Sequence, residues 1–381
     1  MKRTTISAII TFLLVGSWPV YAAMPDGPTQ SKTFSVNKGG TLDVSINGGD
    51  IHIATWEKNE VAIKVQFEDE DAEEDLKMTQ NGNTVRIVDN GGWGETDNRY
   101  DISVPAKFNL EMRTGSGDLI ISGKLEGTID GQTSGGSIRM DDVTGKVDVS
   151  TSGGDLRAGR ITGDGRFNTS GGDIDVQGTS GDLDVKTSGG DIRLGNVGKT
   201  LRASTSGGNV TIGDVGNEAE VSTSGGNIRV GKVNGRVRLK TSGGDVELSS
   251  GTGSILAYTS GGNVRLSNIA GSIDARTAGG DIDAELTPDG KGTSKLASAS
   301  GEIRFFVPEN ARATIDAVIR IHGGWHSSRD SYDIQSDFKA ETKESDRDSR
   351  EIHARYILNG GGQSISLETV NSDITIRKMK K

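Results

Sequence analysis

The 381-residue sequence has no cysteine, six prolines, 4% aromatic residues and no apolar run of about 20 residues. Without cysteine, the chain has neither a disulfide framework nor a lipid anchor on an N-terminal cysteine. The longest apolar stretch, Ile6 to Val15, is about half the length that a membrane-spanning helix needs. We therefore predict no transmembrane anchor, and stability must come from backbone pairing and packing.

The balance of charge disfavours one class of partner. The formal net charge is −10, whereas proteins that bind nucleic acid need basic surfaces to replace the counterions of the phosphates. A content of 32% hydrophobic residues with 56 glycines is typical of disordered, low-complexity chains. The periodicity described below argues against disorder.

The N-terminal segment predicts export. Lys2 and Arg3 precede the apolar run and a stretch of small residues, which is the pattern of a secretory signal peptide. Cleavage after Ala22 puts Val20 and Ala22 where the processing peptidase needs small residues, so residues 1–22 are predicted to be removed. We expect a periplasmic protein, with an extracellular or surface-associated location as the alternatives.

The tetrad Thr-Ser-Gly-Gly, or a close variant, recurs every 18 residues without insertion or deletion. It begins at Thr133, Thr151, Thr169, Thr187, Thr205, Thr223, Thr241, Thr259 and Thr277. Only stacking of like units requires such a fixed step.

Each 18-residue unit carries apolar residues in alternation. In the first unit Ile138 and Met140 form one pair, Val147 and Val149 form a second, and both pairs recur along the repeats. Alternation of this kind predicts two short strands per unit, joined by glycine-rich corners. A single unit cannot bury its apolar face, but stacking at about 4.8 Å makes a continuous core. The predicted fold is all-β, a single-chain parallel β-helix (β-solenoid) with 18-residue coils.

Three further features fit such a stack. No proline lies between Pro105 and Pro288, where every strand needs its amide. The tetrad threonines are in phase with the inward residues, which predicts a buried hydroxyl ladder, and the Asp or Asn after each tetrad is expected to bond the backbone of its own turn. An outward column alternates in sign and favours one register; it comprises Asp148, Arg166, Asp184, Arg202, Glu220 and Arg238.

The regular repeats span residues 114–287, with irregular β caps on either side. The N-terminal cap, residues 23–113, has predicted strands near 41–46, 61–67, 84–88 and 108–113, and its acidic loop at 68–75 is interpreted as solvated. The C-terminal cap, residues 288–381, has predicted strands near 302–307, 313–321, 352–358, 363–368 and 373–377. A polar segment at 326–351 is expected to be a loop or short helix. The charged ends disfavour end-to-end polymerisation.

The sequence contains no nucleophile elbow, zinc-binding helix or phosphate loop. We predict no catalytic residue, cofactor or metal site, and we expect that the protein is not an enzyme, although the absence of these motifs does not by itself exclude one. Two Gly-Gly-Trp segments suggest speculative ligand contacts at Trp93 and Trp325, although either ring could instead plug an end of the stack. His322 and His326 form the one close histidine pair, which is weak as a metal site because two ligands lack a third.

The Thr-Ser-Gly-Gly-Asp-Ile-x-Val units resemble a bacterial exported β-strand-repeat family of candidate adhesins, classed as a domain of unknown function. The resemblance extends to Asn47-Gly48-Gly49-Asp50-Ile51, to Thr114-Gly115-Ser116-Gly117-Asp118 and to Ser300-Gly301-Glu302-Ile303. It implies surface or envelope binding and supplies no catalytic residues. We expect a non-enzymatic envelope module that binds a polysaccharide or protein partner, or serves a structural role. The alternatives are a polysaccharide-acting β-helix enzyme and a self-assembling scaffold.

Overall fold

The computed structural model describes residues 27–68, 76–91, 98–322, 332–346 and 350–379. Within these ranges the chain forms 35 β-strands and no helix, and all the strands join one hydrogen-bonded network. The predicted all-β class is confirmed. Across the same residues there is no helix long and apolar enough to span a bilayer. The predicted signal peptide and most of the acidic loop lie outside the described residues.

Eight strands precede the regular repeats. They are β1 (Thr29–Ser35), β2 (Gly40–Ile46), β3 (Asp50–Trp56), β4 (Glu60–Gln66), β5 (Leu76–Asn81), β6 (Thr84–Asp89), β7 (Arg99–Pro105) and β8 (Phe108–Thr114). The four strands predicted here correspond to β2, β4, β6 and β8. The others were not predicted, although β3 does bury Ile51 and Ile53 in alternation.

The regular repeats form the next nineteen strands. They are β9 (Leu119–Ser122), β10 (Leu125–Glu126), β11 (Ile129–Gln132), β12 (Ile138–Met140), β13 (Val143–Thr144), β14 (Val147–Ser150), β15 (Leu156–Thr162), β16 (Gly165–Asn168), β17 (Ile174–Thr179), β18 (Leu183–Lys186), β19 (Ile192–Val197), β20 (Leu201–Ser204), β21 (Val210–Ile212), β22 (Ala219–Ser222), β23 (Ile228–Asn234), β24 (Val237–Lys240), β25 (Val246–Tyr258), β26 (Val264–Thr277) and β27 (Ile282–Pro288).

These strands pair in parallel, and from β12 to β25 each paired residue lies beside the residue 18 positions later. Ile174 pairs with Leu156 on one side and with Ile192 on the other. The second strand of each unit pairs in the same register, because Val185 lies between Phe167 and Ala203. Since like residues meet at every step, the inward side chains form one continuous core.

The prediction of two strands per unit holds for the units from β15 to β24, but it did not include a third ladder that runs through each unit. Val143 pairs with Ile161, which pairs with Thr179 and then Val197. Bridges continue this ladder through Val215 to Val233. The segment buries a single side chain per unit in most units, so it has no alternation that a sequence could reveal.

The tetrad threonines are buried, which confirms the predicted hydroxyl ladder. Thr151 Oγ1 donates to the carbonyl of Gly136 at 2.8 Å and accepts from the amide of Gly154 at 3.4 Å. The second glycine of each tetrad is required by close approach of the units rather than by its φ angle. A Cβ on Gly154 would lie 2.2 Å from the carbonyl oxygen of Gly136.

The Asp or Asn after each tetrad bonds the next unit, not its own turn as predicted. Asp155 Oδ1 accepts the amide of Asp173 at 2.9 Å, and Asp173 Oδ1 accepts the amide of Asp191 at 2.8 Å. Asn serves equally, because Asn209 Oδ1 accepts the amide of Asn227. The column therefore joins successive units.

The outward charge column is in the predicted register, with each residue beside one of opposite sign. Ion pairs join Arg166 to Asp148 at 3.6 Å and Arg238 to Glu220 at 3.8 Å. These exposed pairs contribute little to stability individually, but they favour this alignment over a slip by one unit.

Eight strands follow the repeats. They are β28 (Thr293–Ser298), β29 (Ile303–Val307), β30 (Ala313–Arg320), β31 (Ile334–Ser336), β32 (Thr342–Asp346), β33 (Glu351–Leu358), β34 (Gln363–Val370) and β35 (Ile374–Lys378). The five predicted strands correspond to β29, β30, β33, β34 and β35. The predicted loop or helix at 326–351 was wrong where the chain is described, since β31 and β32 lie there.

Both ends of the stack change from parallel to antiparallel pairing. At the N-terminal end β7 pairs with β4, which pairs with β1, and both pairings are antiparallel. At the C-terminal end β30 pairs with β33, which pairs with β32, again antiparallel.

Candidate functional site

One face of the stack carries an outward residue between the two buried residues of the first strand in each unit. We call this series the Arg column; it comprises Arg139, Arg157, Asp175, Arg193, Thr211, Arg229, Glu247, Arg265 and Asp283.

Most arginines of the Arg column pair with acids of the stack itself. Arg193 contacts Asp191 at 2.6 Å and Asp173 at 3.0 Å. The contact with Arg193 contributes to lowering the pKa of the Asp173 carboxyl, although the larger cause is the hydrogen bond from the amide of Asp191. Arg229 and Arg265 pair in the same way with the acids of the following units.

Arg139 breaks this pattern. Its unit has Ser137 where other units have Asp or Asn, and its lateral neighbours are Ile120 and Arg157. Across the described residues, the Arg139 guanidinium has no ion pair and no hydrogen bond. Arg157 binds Asp155 of its own unit at 2.8 Å. Two arginines thus lie side by side, an arrangement that is destabilising within a sheet.

The unit before Arg139 also contains one extra residue. Three residues separate the buried Ile121 from Leu125, whereas two separate Met140 from Val143 in the next unit. The bulge is formed at Gly123, whose φ of 88° favours glycine. Its amide donates to Asp141 Oδ2 at 2.8 Å. The extra residue is followed by Lys124, which is exposed and lines the same open groove as Arg139.

These departures surround an open groove of about 630 Å³, which we call the Arg139 groove. Its charged and amide side chains include Lys124, Arg139, Arg157, Asp141, Asp175 and Gln177. Gly159 also lines the groove, and a Cβ there would lie 2.7 Å from Asp142 Oδ1.

Two smaller hollows continue the groove. The Trp56 hollow, about 300 Å³, shares Lys124 with it, and the Asn196 hollow, about 460 Å³, shares Gln177. We call the three together the trough. It crosses the adjacent strands β3, β9, β12, β15, β17 and β19, or roughly 24 Å at the spacing of strands.

The Trp56 hollow contains an aromatic ring that is half-buried. Trp56 Nε1 donates to the carbonyl of Glu60 at 2.8 Å, which fixes the ring. Lys58 Nζ lies 4.7 Å from the ring centroid. Lys38 and Lys107 also line this hollow.

Two carboxylates of the trough accept hydrogen bonds from backbone amides. Asp142 Oδ1 accepts the amide of Arg160 at 2.8 Å, and Asp141 accepts the amide of Gly123. Both carboxylates therefore help to shape the corner of the chain. Arginine, lysine, carboxylate and amide groups around an open groove are suited to holding a charged and hydroxylated ligand.

Of the four residues predicted as speculative ligand contacts, only His322 lies among the described residues, and it does not line the trough. Trp93, Trp325 and His326 lie outside the described residues. His322 is exposed beyond the end of β30, where its backbone exchanges hydrogen bonds of 2.9 and 2.7 Å with the Asn371 side chain. The described residues hold no group of three or more potential metal ligands.

Sequence reasoning missed the Arg139 groove, although signals for it were present. They were the serine at 137 in a column of Asp and Asn, the adjacent arginines in one column, and the 19-residue step from Thr114 to Thr133. No single one of these is informative without the pairing register.

The fold is that of a repetitive all-β protein, and its stack carries an open groove on one face. The family model described as Toastrack DUF4097 matches residues 41–213 and 195–377. The chain belongs to this family. The predicted resemblance to a domain of unknown function with adhesin-named relatives is thereby confirmed.

Solved structures resemble the chain at low sequence identity. A candidate cell adhesion protein from Clostridium sporogenes is 10% identical, with 92% of this chain and 99% of that chain covered and a TM-score of 0.17. A candidate adhesin from Bacteroides fragilis is 10% identical, with 93% and 99% covered and a TM-score of 0.22. A candidate lipid-binding protein from Parabacteroides distasonis is 13% identical, with 93% and 98% covered and a TM-score of 0.23. None of the curated proteins matches the chain.

Proposed function

We propose that the protein is a non-enzymatic module of the bacterial cell envelope that binds an extended partner along the outside of a rigid stack. The observation that carries this proposal is the trough at Arg139. Elsewhere in the Arg column arginines pair with acids of the stack, whereas here a cation is left unpaired among the described residues beside an open groove. Departures from a local rule of this kind are expected at functional sites.

The architecture supports binding to an extended partner. We describe the stack as a single-chain parallel β-helix (β-solenoid) with 18-residue coils, because parallel ladders join residues 18 apart on all three sides of each unit. The nine regular coils extend over about 38 Å. Each coil contacts only its neighbours, so such stacks present long, straight surfaces.

The proposed location rests on the N-terminal sequence. Lys2 and Arg3 before an apolar run support export with removal of residues 1–22. The chain has no cysteine, so its folding after export does not depend on disulfide formation. We propose the periplasm, with the cell surface or the medium as alternatives.

The absence of catalysis is also a proposal, and the groove supports it. The carboxylates closest to Arg139 along the chain, Asp141 and Asp142, are held by backbone amides. A polysaccharide-cleaving site needs carboxylates that are free to take and give protons beside the scissile bond.

Binding of the purified exported chain to an array of envelope polysaccharides and peptidoglycan tests the proposed function. We expect saturable binding to at least one polymer, with no release of reducing ends and no growth of assemblies with protein concentration. Cleavage products would identify the polysaccharide-acting enzyme instead. Concentration-dependent fibres without binding would identify the self-assembling scaffold.

A further inference from the structure

Building on the proposed function, we infer that the trough binds a segment of an acidic polysaccharide, with a sugar carboxylate held between Arg139 and Lys124. The proposal names the ligand chemistry of one surface. Two structural departures meet at this surface: the unpaired arginine and the extra residue before Lys124.

The first step of the argument is the state of Arg139. An arginine fork presents donors that match a carboxylate in two parallel hydrogen bonds, and such charge-assisted bonds are the strong ones. In the Arg column, Arg193 directs these donors at two aspartates of the stack itself. Among the described residues, the donors of the Arg139 guanidinium are not used in this way. Exposed Lys124 lines the same groove. The groove thus holds prepared donors for an anionic group.

The second step is the balance of charge along the trough. Its basic lining residues are Lys38, Lys107, Lys124, Arg139, Arg157 and Arg160, and its acidic ones are Glu57, Glu126, Asp141, Asp142 and Asp175. Acidic and basic lining residues are almost equal in number, so a polyanion with closely spaced charges is disfavoured as the ligand. A ligand with spaced carboxylates and many hydroxyls fits better, because the acids and Gln177 can accept or share hydroxyl hydrogen bonds.

The third step is shape. The trough is open, runs across six strands and contains the fixed ring of Trp56 at one end. Sugars present apolar ring faces that pack on aromatic side chains, while an amphipathic indole can also face water. An extended acidic glycan therefore satisfies the ring, the cations and the length together.

The test is calorimetric titration of the full exported chain with hexagalacturonate and with the neutral galactose hexamer at one ionic strength. We expect the acidic hexamer to bind at least ten-fold more tightly, and its affinity to fall as salt is raised. Arg139→Gln should weaken binding of the acidic hexamer about ten-fold. Arg229→Gln is the matched control, since Arg229 lies in the same column but pairs with Glu247, and it should leave the affinity unchanged.

A second variant supplies the acid that this coil lacks. Ser137→Asp recreates the arrangement in which Asp155 binds Arg157, so Arg139 becomes paired within the protein. We expect it to weaken binding of the acidic hexamer as Arg139→Gln does, while circular dichroism stays that of a folded β protein. This variant separates loss of the site from loss of the fold.

Equal affinity for the two hexamers, or equal effects of Arg139→Gln and Arg229→Gln, would overturn the inference. Should envelope polymers bind with an affinity that neither Arg139→Gln nor Ser137→Asp alters, the proposed function stands and the trough is not the site. Failure of every polymer to bind would remove both.

Discussion

The hydroxyl of Thr187 donates a 2.9 Å hydrogen bond to the carbonyl oxygen of Gly172, a residue of the preceding coil. The Oγ1 atom of Thr187 also accepts a hydrogen bond from the amide of Gly190 at 3.3 Å. One buried side-chain atom therefore closes its own turn and fastens it to its neighbour. This arrangement recurs in all nine tetrads, from Thr133 to Thr277.

Removing one hydroxyl from this ladder should be costly. Thr187→Val keeps the volume but leaves the carbonyl of Gly172 without its donor, which is expected to lower the free energy of unfolding by about 1–3 kcal/mol. Guanidinium denaturation followed by circular dichroism measures the effect. Ser188→Ala, at an exposed position of the same tetrad, serves as control and should change little. A neutral Thr187→Val would contradict a structural role for the ladder.

The two glycines of a tetrad should differ in tolerance. A Cβ on Gly190 would lie 2.1 Å from the carbonyl oxygen of Gly172, whereas a Cβ on Gly189 would lie 3.1 Å from that of Gly171. Gly190→Ala should therefore force the coils apart and lower the melting temperature strongly. Gly189→Ala should be mild, with a loss of roughly 1 kcal/mol or less. Similar melting temperatures for the two variants would show that the coils are more loosely stacked than the structure indicates.

Acid should weaken the stack through its aspartates. The pKa of Asp173 is lowered by the amide of Asp191 and then by Arg193, so the stabilisation is present above the unfolded pKa near 3.9. It is lost as the pH falls from about 4 through the folded value. Thermal melts between pH 7 and pH 2 measure this loss. The Asp173→Asn variant should keep the backbone contact, as Asn209 does, and should show a shallower decline in acid; an unchanged decline would assign it to other groups.

Arg139 should differ from other arginines in its effect on stability. Arg139→Gln relieves the contact between like charges with Arg157, and we expect unchanged or slightly raised stability, by a few tenths of a kcal/mol to about 1. Arg193→Gln removes contacts to two aspartates and should lower stability. Differential scanning calorimetry of both variants makes the comparison. A loss in Arg139→Gln as large as that in Arg193→Gln would show that Arg139 is part of the stack's internal pairing.

The sequence predicted those parts of the fold that repeat with alternation. Ile174, Val176 and their equivalents in other coils were recognised because one inward residue every second position is visible in a sequence. The ladder through Val197 was not, because one buried residue per coil has no period of two. Partners across coils were also inaccessible: the bond from Asp155 to the amide of Asp173 was assigned to a local turn, since the sequence gives no distance between units.

The trough was missed for a related reason. Arg139 is unusual only in relation to what lies beside it in space, namely Ile120, Arg157 and the Ser137 of its own coil. A sequence shows an arginine in an outward place, which is ordinary in itself. The pairing register shows that Arg139 differs from the other arginines of its column. This difference is the basis of the proposed binding site.

Antiparallel strands lie at both ends of the stack of parallel coils. Within the regular part, every coil offers the next one the same backbone pattern, so nothing in a coil specifies how many should follow. The strands β4 and β33 reverse direction and offer a pattern that an 18-residue coil does not match. The distance between the two ends is thus set by the number of coils that the sequence encodes. Insertion or deletion of one complete unit would change the length of the stack by a single strand spacing while leaving its cross-section intact.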